Sequence, residues 1–77
     1  MSTNIRLSRK VAKEMENVAQ AIAGATGAAR QAEIDKYIAD GTIVECIVDH
    51  EDAVKTVLLI KHKPEGAFFN HVVNANP

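Results

Sequence analysis

Four cations open the chain. Arg6, Arg9, Lys10 and Lys13 lie within residues 1–13 with no acid among them, a local charge of +4. That density suits an anionic ligand such as phosphate, against the plainer reading of a solvated helix face. Residues 14–41 carry −3 and residues 42–77 carry −2, so the total is −1 and a general polyanion binder is disfavoured. Cys46, His50, His62 and His71 are of metal-ligand type. No CxxC or HxxxH pair sets two of them at ligand spacing, so no metal is expected. Cys46 reads as a small core residue. His50-Glu51-Asp52 holds acid–base groups without a supporting third partner and reads as a solvated turn. Gly24-Ala25-Thr26-Gly27 lacks the Lys-Ser/Thr of a phosphate loop. The chain is expected to be no enzyme and to need no cofactor. Phe68 and Phe69 are expected in the core; left exposed, they would be anchor residues for a partner.

These residues must be positioned by one small domain, residues 1–77, because 77 residues leave no room for a second. A chain this short buries only about 60% of its unfolded surface, and oligomerisation is a common remedy. With 47% hydrophobic and 25% charged residues, wholesale disorder is excluded as an expectation. Aromatic content of 4% disfavours a stacking platform for single-stranded nucleic acid. One cysteine allows no internal disulfide and suits a reducing compartment. No apolar run approaches the ~18 residues of a membrane span, and no leader pattern follows the basic start. A soluble, cytoplasmic protein without membrane contact is the expectation.

The hydropathy pattern divides the domain into a front part, 1–41, and a β-rich part, 42–77. Residues 3–7 alternate, with Ile5 and Leu7 opposite Asn4 and Arg6, the period of a short strand. After Ser8, an N-cap type, Val11, Met15, Val18 and Ile22 recur at helical spacing, with Ala12 and Ala19 widening the stripe. This predicts a helix over 9–23. Thr26 opens a second helix over 28–39, with Ala32, Ile34, Tyr37 and Ile38 as core positions and Gly41 as its C-terminal cap. Residues 42–48 and 54–62 then read as a β-hairpin around the polar turn 49–52. Both strands carry apolar residues on both faces, so both faces should be covered, one by the helices and the other by a further subunit. Glu45 reads as a charge guarding a strand edge. Residues 67–73 form a possible third strand, and 74–77 a frayed end. The fold class is α+β.

Strand, N-cap, helix, glycine turn and helix, in that order, resemble the ribbon–helix–helix repressors of the Arc/MetJ/CopG type. Asn4-Ile5-Arg6-Leu7-Ser8 looks like the family's ribbon. Val11, Met15, Val18 and Ala19 are similar to its first-helix stripe, and Thr26-Gly27-Ala28-Ala29 to the turn that starts its second helix. Glu33-Ile34 resembles a recurring pair in that helix. The resemblance covers residues 2–40, with about one extra helical turn near 21–25, and does not extend to the tail. It implies a homodimer or higher oligomer on double-stranded DNA, acting as a transcriptional repressor or autoregulator. Ser2, Asn4 and Arg6 would face bases in the major groove. Arg9, Lys10 and Arg30, with the N–H groups of Thr26, Gly27 and Ala28, would hold phosphates.

A second reading belongs to another class. The chain is a compact α+β protein, of the kind encoded by a phage or mobile element, that binds and inhibits or adapts another protein through its apolar hairpin. The two readings part at residues 3–7. The first pairs them with the same residues of a second chain, and the second does not.

Overall fold

The computed structural model describes residues 2–75, with side chains described from Arg9 to Ala75. Two helices come first, α1 (Ser2–Ala23) and α2 (Gly27–Ala39). Three strands follow, β1 (Ile43–Glu51), β2 (Lys55–His62) and β3 (Ala67–Asn74). They form one antiparallel sheet in the order β1-β2-β3. The α+β class stands, but the expected order of strand, helices and hairpin does not.

The correction falls on residues 3–7, which are the first turns of α1 rather than a ribbon. The helical stripe explains why. Leu7 precedes Val11 by four residues, so the spacing that continues through Met15, Val18 and Ile22 begins earlier than Ser8. No glycine or proline interrupts residues 1–23, and a five-residue alternation with no neighbouring strand gains nothing from extension. Ser8 is therefore interior to the helix rather than at its start.

Met15, Val18, Ala19 and Ile22 are buried as the spacing predicts, and Val11 packs at the margin, but Ala12 is exposed. On α2, Ile34 is buried and Tyr37 half-buried, whereas Ala32 and Ile38 face solvent. This helix ends on a Schellman cap: Thr42 N–H donates to Tyr37 C=O and Gly41 N–H to Ile38 C=O, both at 3.1 Å. Gly41 sits at φ +85°, where a side chain would be strained.

Strand β2 alternates without fault. Thr56, Leu58, Ile60 and His62 are buried toward the helices, and Val57, Leu59 and Lys61 point away. Leu58 and Ile60 join Ile43, Met15 and Ile22 in a core under α1. Helix α1 lies over β2 and β3, and α2 lies over β1. The molecule measures only 17 Å in its thinnest direction, one helix layer on one sheet. The third strand is present and runs one residue past the expected end, to Asn74. Ala75 still bonds, its N–H to Val54 C=O at 2.7 Å, and the remaining tail residues, 76 and 77, lie outside the described residues.

Candidate functional site

The side of the sheet away from the helices is the least explained surface of the molecule. Strand register sets its rows. Ile47 of β1 lies beside Leu59 of β2, which lies beside Asn70 of β3. Val57 lies beside Val72, and Lys61 stands between Glu45 and Phe68. Ile47, Phe68 and Val72 are 45%, 48% and 60% exposed, and none of the described residues covers them. Scattered apolar residues are ordinary on a surface, but neighbours across three strands make a patch. Lys61 Nζ lies 5.5 Å from the Phe68 ring centroid, a cation–π contact at the rim. Lys55, on the same side of β2, marks the other end.

The expectation of a hairpin covered on both faces is thus half met, since the helices take one face and the other is open within the chain. The expectation of both phenylalanines in the core is also divided. Phe69 packs with the core, edge-on to His62 at 6.1 Å, while its neighbour Phe68 points out. Strand alternation makes that division unavoidable.

Two polar clusters hold the sheet against the helices. Arg30, 12% exposed at its side chain, donates from Nε to Ile22 C=O at 3.1 Å and Ala25 C=O at 2.8 Å. Its Nη2 donates to Ala23 C=O at 3.2 Å. Its two Nη atoms also grip the Glu51 carboxylate at 3.1 and 2.7 Å. Glu51 accepts a further bond from the Thr56 hydroxyl at 2.9 Å. The Arg30 and Thr56 bonds, Arg30 first, hold the Glu51 carboxyl below the usual carboxylate range, and the same pairing raises Arg30. Arg30, expected on phosphate, is therefore engaged inside the fold.

The second cluster centres on His62, which is buried beneath α1. Its Nδ1 accepts the Glu65 N–H at 3.3 Å, and its Nε2 donates to Glu14 at 3.2 Å, so the hydrogen-bond pattern assigns the Nε2–H tautomer. His62 has a structural role that the sequence signal of an isolated histidine did not reveal.

The remaining chemistry-bearing residues stay apart. His50 and Asp52 pair at 2.8 Å, both exposed, but the expected turn over 50–52 is not one, since His50 and Glu51 are the last residues of β1 and Glu51 is held by Arg30. The His50 contact first, and then N–H bonds from Lys55 and Val54, lower the Asp52 carboxyl to about 2. Cys46 is half-buried, and burial pushes its thiol up. His71 lines a groove of about 680 Å³ between α1 and β3, together with Glu16 and Gln20. Its Nε2 is buried with no hydrogen-bond partner among the described residues, and burial lowers its basicity despite the opposing charge of Glu16. Among the described residues no three histidine, cysteine or acidic groups gather at a metal-binding distance.

The expected DNA-reading residues are likewise dispersed. Ser2, Asn4 and Arg6 are helical, with side chains outside the described set. Arg9 and Lys10 are exposed on α1. Thr26 is the exposed N-cap of α2 and makes no side-chain cap bond, and Gly27 and Ala28 are exposed beside it. No described helix is long and apolar enough to cross a membrane. Compared with known protein families, curated proteins and solved structures, the chain matches none.

Proposed function

We propose that this protein is a small binding module that engages another protein through the open face of its sheet. One observation carries the reading: Ile47, Val57, Leu59, Phe68 and Val72 make an apolar patch, covered by no described residue, on the face of the sheet opposite the helices. Burial of such a patch supplies the driving force for association. The charges on that face are Lys55 and Lys61 against Glu45, so a partner with apolar residues flanked by carboxylates is the best complement. Repression through a β-ribbon is not proposed, because the ribbon residues are helical.

The experiment compares the intact protein with an Ile47→Lys/Val72→Lys variant that keeps its circular dichroism spectrum. A partner captured by the first is identified, purified and titrated against both. A partner bound by the intact protein and weakened at least about tenfold by the double variant supports the reading, since such a patch is worth more than 1.4 kcal/mol. Equal affinities would sink it. The same protein is also titrated with duplex DNA at low and physiological salt. Micromolar binding that fades with salt and disappears on reversing Arg9 and Lys10 would put a nucleic-acid function in its place.

A further inference from the structure

The sheet has two edges, and they are built differently. β1 breaks register with β2 twice, between Ile43 and Glu45 and between Val48 and His50. It carries Glu45, Asp49 and Glu51, and α2 packs over it. Bulges and charge of this kind discourage pairing with another strand. β3, under α1, has neither bulge nor charge. Its eight residues pair with β2 in unbroken register, and none of them is charged or proline.

Backbone phase decides what that edge offers. Ala75 N–H donates to Val54 C=O in the same register that joins β3 to β2. Alternation along an antiparallel ladder then assigns Val73, His71 and Phe69 to bonds with β2. The N–H and C=O groups of Phe68, Asn70, Val72 and Asn74 therefore point to the free edge. The side chains of these residues also face the open side of the sheet.

We propose that β3 is a dimerisation edge, and that its occupant is β3 of a second copy of this chain. The strand is close to a palindrome about Asn70, with an apolar residue two positions away on each side. A two-fold axis normal to the sheet, lying between the two strands midway between Asn70 and its counterpart, makes the strands antiparallel and keeps both helix layers on one side. It opposes Phe68 with Val72 of the second copy, an aromatic–β-branched pair, and Asn70 with its own counterpart. Each of these pairs exchanges both backbone bonds, and no like charges meet, because β3 carries none. The two open faces merge into one six-stranded floor. A foreign strand could meet the same backbone groups, but it would have to reproduce the same apolar–amide–apolar pattern.

The inference does not depend on the protein-binding reading, since a monomer could still bind a partner on its open face. The test is sedimentation equilibrium of the full chain from about 1 to about 200 micromolar, the range in which modest interfaces dissociate. It is paired with oxidative cross-linking of Asn70→Cys in a Cys46→Ala background. Opposed hydrogen-bonded residues have Cα atoms about 5.5 Å apart, within disulfide reach. The proposal expects a dimer that cross-links through Asn70→Cys and not through the control Val54→Cys. It also expects Asn70→Lys, which sets two cations face to face, to weaken the dimer at least about tenfold while leaving the dichroism spectrum unchanged. A monomer throughout that range overturns the proposal. A dimer insensitive to Asn70→Lys and without the Asn70→Cys cross-link overturns it equally.

Discussion

Arg30 ties the C-terminal end of α1 to the β1–β2 hairpin by bonding three backbone carbonyls and one carboxylate at once. Its removal would strip the part-buried Ala23 and Ala25 carbonyls of their Arg30 donor and break the tie to Glu51. Arg30→Ala is expected to cost about 2–4 kcal/mol in urea denaturation, and Arg30→Lys should recover little of it, because an ammonium cannot reproduce the fork. His71 makes a pH prediction. Its basicity in the fold is depressed from the ordinary 6.5, so the unfolded chain binds the proton more readily. Its contribution to stability is fully present above 6.5 and is lost as pH falls through the lowered value. Urea midpoints measured between about pH 7.5 and pH 5 should fall less steeply in His71→Gln than in the parent. Asp52 acts further down the scale. Its contribution is present above 3.8 and disappears as pH falls toward about 2, and Asp52→Asn should remove that last acid limb.

At the scale of elements, helix patterning was readable wherever apolar residues recur over several turns. The stripe of α1 and the cap of α2 came directly from residue types. Gly41→Ala tests the second: at φ +85° the variant should lose about 1 kcal/mol of stability in thermal or urea melts, whatever the space around it. The same reasoning failed at residues 3–7, where a five-residue alternation suits either period and the longer stripe of α1 absorbed it. Strands were legible from their β-branched content, and their ends shifted by up to three residues because Asp52, not Asp49, organises the turn. β3 was legible as a strand from residues 67–73 alone. That it is an unguarded edge was not, since edge status belongs to the sheet order.

The whole molecule is one helix layer on one sheet, with an apolar outer face on which Ile47 and Val72 are exposed. Ile47→Lys/Val72→Lys is therefore expected to leave monomer stability within about 0.5 kcal/mol, read by urea denaturation at low concentration. Ile60→Ala, on the opposite side of the same sheet, should cost about 2–5 kcal/mol. Near-neutrality on one face and a large loss on the other would separate surface kept for contact from surface kept for folding.

Residue periodicity by itself determined that this is a small α+β domain with two helices before a β-rich part, because amphipathic spacing and glycine caps act locally. It also determined that the sheet has apolar residues on both faces. Tertiary structure alone decided which face the helices occupy, that Arg30 turns inward rather than toward a ligand, and that His62 is a buried strut. Those outcomes depend on which distant segments meet, and no local pattern encodes a contact between residues 14 and 62 or 30 and 51.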